Sequence, residues 1–134
     1  MTKIHIDKFF RNKDFEKLNL RDHEFENCNF NGCNFQNKNL SHMNFTDTIF
    51  EDCNLTLVKF DSSDLKNISF KSCKMIGIDF SKCSRLLFSV SFEKCILNNS
   101  SFVKLDLKNT SFVNCEIEDV NFIECNLRDC KIIN

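Results

Sequence analysis

Large apolar residues fall on every fifth position of this chain. Leu20, Phe25, Phe30, Phe35, Leu40, Phe45, Phe50, Leu55, Phe60, Leu65, Phe70, Met75 and Phe80 form one unbroken series. Leu87, Phe92, Leu97, Phe102, Leu107, Phe112, Ile117, Phe122, Leu127 and Ile132 form a second, displaced by two positions. A period of five matches neither the strand period of two nor the helical period of about 3.6. On a helix, successive members would rotate by about 140° and leave no continuous apolar face. The period therefore predicts a coil that turns a corner every five residues, with each large residue as an inward centre.

The residue two before each centre is mostly small or apolar, as in Cys28, Cys33, Met43, Thr48, Cys53, Val58, Ser63, Ile68, Cys73 and Ile78. This fits a second inward slot. The residue just before the centre is often Asn or Asp, whose side chains bond nearby backbone in tight turns. His23 and Lys38 occupy inward slots near the first coils, and the expectation is that each reaches a turn carbonyl or water. His5 lies in the opening segment and His42 faces outward, so no convergence of the three histidines is expected.

Segments such as Cys28–Gly32 (CNFNG), Cys33–Asn37 (CNFQN), Cys53–Leu57 (CNLTL) and Cys125–Asp129 (CNLRD), repeated in series, resemble the pentapeptide-repeat family. The resemblance implies an all-β, right-handed quadrilateral β-helix of about six coils, four pentapeptides to a coil, with centres stacked at a strand spacing of about 4.8 Å. Residues 18–134 are assigned to this solenoid. Residues 1–17, which contain Ile4, Ile6 and the Phe9-Phe10 pair outside the pattern, are expected to cap the first coil.

The two series line up in stacked columns if a two-residue bulge near residues 84–88 is squeezed outward. Phe50, Phe70, Phe92 and Phe112 then share one column, and Leu65, Leu87 and Leu107 another. An unpaired Arg cannot be buried. Arg85 is therefore expected in solvent, Leu87 in the core slot, and Leu86 or Phe88 partly exposed.

Composition adds limits. The chain of 134 residues has nine Cys and nearly balanced charge, with 18 basic and 19 acidic residues, so no phosphate-backbone binding is advertised. No apolar run reaches membrane-spanning length and the start lacks a secretion-signal core, which points to a cytoplasmic protein without membrane partners. The cysteines occur without a C-x-x-C pair or interleaved His and read as reduced, small core filler, not as metal ligands. No catalytic motif is present. No catalytic, cofactor-binding or metal residue is assigned, and a non-enzymatic module is expected.

Function is then sought on outer faces and ends. Leu57, Ile76, Ile96, Leu86 and Phe88 are outward apolar candidates for a contact surface. Ile132 and Ile133 are candidates for a homodimer formed through the C-terminal coil, where Glu116, Glu118, Asp119, Glu124 and Asp129 also gather. The opening segment, the Cys/Asn/Phe pentamers and the mid-chain slip look like the quinolone-resistance (Qnr-type) group. That resemblance implies a DNA-mimic protein acting on DNA gyrase and topoisomerase IV as the alternative to a scaffold of unassigned partner.

Overall fold

The computed structural model describes residues 2–13, 15 and 19–134. The chain winds as a right-handed quadrilateral β-helix of about six turns, built of parallel strands with one 3-10 turn at Phe80–Lys82 and without α-helices among the described residues.

Two faces carry named strands. The first face holds β1 (Lys3–Ile6), β3 (His23–Glu26), β5 (Asn44–Thr46) and β7 (Asp64–Lys66), paired in that order. The second holds β2 (Phe9–Arg11), β4 (Asn29–Asn31), β6 (Ile49–Glu51), β8 (Ile68–Lys71), β9 (Val90–Glu93), β10 (Ser111–Val113) and β11 (Lys131–Ile133). The third and fourth faces are joined by isolated parallel bridges, such as Asn34 with Asn54 and Asp79 with Ser101. Every strand is short because the chain must turn again after five residues.

The core consists of stacked centres. On the second face, ring centroids of Phe30 and Phe50 lie 4.9 Å apart, Phe50 and Phe70 5.2 Å, and Phe70 and Phe92 5.3 Å. Edge-to-face contacts tie adjoining columns, as between Phe80 and Phe92 at 5.7 Å. Such pairs add to area burial, which contributes on the order of 1.5–3 kcal/mol per large side chain. The second inward slot also does polar work. The Cys33, Cys53, Cys73 and Cys95 thiols donate to the carbonyls of Phe10, Phe30, Phe50 and Phe70 at 3.2–3.4 Å. Ser100 Oγ donates to Met75 O at 3.0 Å in the same way. The slot therefore selects a small donor or a plain apolar group.

Asn and Asp before the centres make the expected local bonds. Asn54 Oδ1 accepts from Thr56 N at 3.1 Å, and Asp106 Oδ1 from Lys108 N at 3.0 Å.

The opening segment lies on the first coil by pairing within the same ladder. His5 is in register with Phe25 and Phe10 with Phe30, and Phe15 is buried, so the five-residue frame already runs through His5, Phe10 and Phe15. The boundary expected at residues 17 and 18 lies outside the described residues.

Pairing passes through the sequence slip with a two-residue offset. Ile68 pairs with Val90 and Phe70 with Phe92, where elsewhere the step is twenty, as from Phe50 to Phe70. The break interrupts the first face only, which is why its four-stranded sheet stops at β7 while the seven-stranded sheet continues.

Candidate functional site

The corners of the rod place a residue in the left-handed region two positions after the centre, except after Phe80, where a 3-10 turn over Phe80–Lys82 makes the corner. Along the corner between the first and second faces these are Asp7, Asn27, Asp47, Asn67, Leu87, Asn109 and Asp129, with φ between 49° and 62°. Asn and Asp tolerate this conformation best after Gly. They also bond along the ladder, Asn27 Nδ2 donating to Asp7 Oδ1 at 2.7 Å and Asn67 Nδ2 to Asp47 Oδ1 at 2.8 Å. Among the described residues with positive φ, Leu57 and Leu87 are the apolar exceptions, at 59° and 57°. A leucine there carries a steric cost of about 1–2 kcal/mol, which partial burial offsets only in part. Leu57 is 50% exposed and Leu87 68%.

The geometry of Leu87 corrects the expected register of the break. The bond from Ser84 N to Ser63 O, at 2.9 Å, keeps the regular step, and the left-handed corner still falls on schedule at Leu87. By the bonds of Ser89 N to Leu65 O and Ile68 N to Ser89 O, both 3.0 Å, the offset is complete. The two extra residues are therefore Phe88 and Ser89, and Leu87 is a corner residue, not a core centre. Arg85 falls where the centre should be. It points outward, as its charge requires, and its guanidinium donates to Lys104 O. Phe88 packs against the core in its stead and is half-buried. Leu86, 69% exposed, stands beside Leu87 on the surface. Arg85, Leu87, Phe88, Lys104, Leu105 and Asp106 line a groove of about 280 Å³ next to them.

The remaining apolar candidates lie elsewhere. Leu57, Ile76 and Ile96 share the third face on successive coils, linked by bonds from Leu57 N to Ile76 O at 2.9 Å and Met75 N to Ile96 O at 2.8 Å. Gly77 makes room for this patch, since a Cβ there would lie 2.7 Å from Leu57 Cδ2. The third face is opposite the first, so the five candidates form two separate patches on diagonal corners. Ile132 and Ile133, at 51% and 50% exposure, lie in β11 on the last coil, two rungs beyond β9 on the second face.

The first coil brings together two histidines that sequence spacing left apart. His5 Nε2 and His23 Nδ1 are 3.0 Å apart, and His5 stacks on Phe25 with centroids 4.7 Å apart. The repeat frame could have found this, because His5 is a centre and His23 the slot two before the next centre in its column. Burial, then the nearby charge of Lys3, holds His5 below its ordinary value; burial, then His5 itself, does so for His23. Lys38, in its inward slot, is half-buried. Burial also pushes the Cys83 thiol up to about 12, with the carboxylates of Asp61 and Asp79 adding to the effect. Among the described residues no three His, Cys, Asp or Glu side chains are arranged to hold a metal ion. No helix among them is long and apolar enough to cross a membrane.

A rod of four five-residue faces, with stacked centres and left-handed corners, defines a parallel β-solenoid. The chain belongs to the pentapeptide-repeat family: residues 23–85 and 86–132 match the pentapeptide repeat region, the two matches meeting between Arg85 and Leu86. Among solved structures, QnrB1, a plasmid-mediated fluoroquinolone resistance protein, is 19% identical over 95% of this chain and 73% of its own, with a TM-score of 0.44. HetL, involved in heterocyst differentiation regulation in Nostoc sp. strain PCC 7120, is 13% identical over 92% and 61%, with a TM-score of 0.39. A pentapeptide repeat protein from the Arabidopsis thaliana thylakoid lumen is 13% identical over 80% and 66%, with a TM-score of 0.43. No curated protein is matched by sequence.

Proposed function

We propose that this protein is a non-enzymatic scaffold that holds protein partners on two opposite edges of a rigid rod. The observation that carries the reading is the placement of Leu57 and Leu87. Both are exposed leucines in left-handed corners where neighbouring coils use Asn, Asp or Gly. Propensity does not account for them and partial burial does so only in part, and backbone strain retained against local preference marks a site of use. The Leu86-Leu87 corner with its groove is one contact; Leu57 with Ile76 and Ile96 is the other. A photo-crosslinking residue placed at position 86 or 57 should capture different proteins, each capture being lost in Leu87→Asn or Leu57→Asn respectively. Identical captures, unchanged by either substitution, would refute the two-edge scaffold.

A second reading, that the rod engages a type II topoisomerase in the manner of DNA, draws on one observation. Glu116, Glu118, Asp119, Glu124 and Asp129 are all exposed on the last coil. Pairing of two copies through Ile132 and Ile133 would join two such clusters into a longer anionic surface. Supercoiling by DNA gyrase, with and without a quinolone, checks it: inhibition or drug protection that disappears when these carboxylates are changed to amides supports this reading. No effect at micromolar protein rejects it.

A further inference from the structure

We infer that the partner of the Leu86-Leu87 corner is a protein segment whose apolar side chains are flanked by carboxylates; the inference rests on the scaffold reading above. The residues that follow the centres on the first face change sign along the rod. They run Glu26, Thr46, Lys66, Leu86, Lys108 and Arg128, so the leucine step lies between cations. Arg85 and Lys104 add two more beside it, and Arg85, Lys104, Lys108 and Arg128 are all exposed.

Two of the nearby acids are engaged within the chain. Glu124 pairs with Lys104 at 3.9 Å, and Asp106 Oδ1 already accepts from Lys108 N and Asn126 Nδ2, both at 3.0 Å. Lys66, Lys108 and Arg128 make no ion pair among the described residues; Lys108 and Arg128 are exposed and Lys66 is half-buried. An apolar step within a cationic column is complementary to an apolar residue within an anionic one. Charge of this kind sets partner choice and encounter rate more than raw affinity.

Spacing narrows the form of the segment. Coils repeat at about 4.8 Å along the rod. Side chains three and four apart on an α-helix recur at about 5–6 Å. An acidic amphipathic helix laid along the rod therefore meets Lys66, Leu86, Lys108 and Arg128 nearly step for step. The groove beside Phe88 and Leu105 accepts one apolar side chain as an anchor. That concavity favours a discrete side chain over a lipid surface, which offers nothing to insert into a groove.

The test uses the full chain and three probes: a labelled synthetic helix of about 18 residues with a leucine stripe edged by Glu, the same helix edged by Lys, and phosphatidylcholine vesicles containing phosphatidylserine. Fluorescence anisotropy should show the Glu helix bound at least tenfold more tightly than the Lys helix. Leu86→Asn with Leu87→Asn should weaken it tenfold or more, while Leu57→Asn on the opposite corner leaves it unchanged. Lys66→Glu with Lys108→Glu should reverse the preference between the two helices. Equal binding of both helices, indifference to the leucine substitutions, or preference for the vesicles would overturn the inference. If the helices fail but crosslinking from position 86 still depends on Leu87, the scaffold reading stands and this partner chemistry falls.

Discussion

Gly77 shows how one residue shapes the third-face patch. Its φ of +73° is strained for any residue with a Cβ, and the space a Cβ would need is taken by Leu57 Cδ2 at 2.7 Å. Gly77→Ala should cost about 1 kcal/mol, the order expected for an L-residue forced into the left-handed region. The blocked contact is with a flexible side-chain end, so Leu57 should swing away while the coil persists. Thermal unfolding, with the methyl resonances of Leu57, checks both parts. The leucines at positions 57 and 87 were within reach of the sequence. Two residues after the centres the chain mostly places Asn, Asp, Ser or Gly, at some corners His, Lys or Glu, and an apolar residue only at these two among the described left-handed corners, yet that position reads as one more outward residue until the corner conformation is known.

At the level of elements, the break and the first coil make opposing demands on the same frame. The corner at Leu87 keeps the five-residue count and leaves the centre to Arg85, which no core accepts. Two added residues then bring Phe88 inward. Deleting Phe88 and Ser89 alone should force Arg85 toward the core and severely destabilise the fold. Deletion combined with Arg85→Leu should restore a regular coil and at least native stability. Chemical denaturation of the two variants distinguishes this frame from one in which Leu87 is the centre, where adding the leucine would rescue nothing. Column continuity was legible in the sequence because Phe and Leu recur at fixed steps. The choice of inward residue was not, because Leu87 and Phe88 are both suitable for a core and only backbone bonding separates them.

The histidine pair gives the first coil its own pH response. Both side chains are held below the ordinary value of 6.5, chiefly by burial. The unfolded segment therefore binds protons first as pH falls. The stability of the first coil is complete above about 6.5 and is lost as pH drops through the lower folded values. Amide exchange should show protection in Lys3–Glu26 falling between pH 7 and pH 5 while that around Phe70 and Phe92 holds. His5→Phe, which continues the aromatic column of Phe25, should flatten the response. Equal loss along the rod would point to the carboxylates instead.

For the whole molecule, architecture and function are written in different positions of the repeat. Centres and inward slots determine the rod, and their regularity made coil number and the two-residue offset readable without coordinates. The outward positions are free of that constraint, and which of them become neighbours depends on the wrapping of four faces. Leu57, Ile76 and Ile96 were thus grouped in sequence with Leu86 and Phe88, although the rod lies between them. The central claim is that the corner leucines serve contact and not the fold. Its most direct test is the unfolding free energy of Leu57→Asn combined with Leu87→Asn. Asn is better suited to the left-handed corner and gives up little burial, so stability should hold or rise by about 1 kcal/mol. A fall of more than about 1 kcal/mol, the usual size of a destabilising substitution, would show that the leucines hold the coil together and would contradict the account.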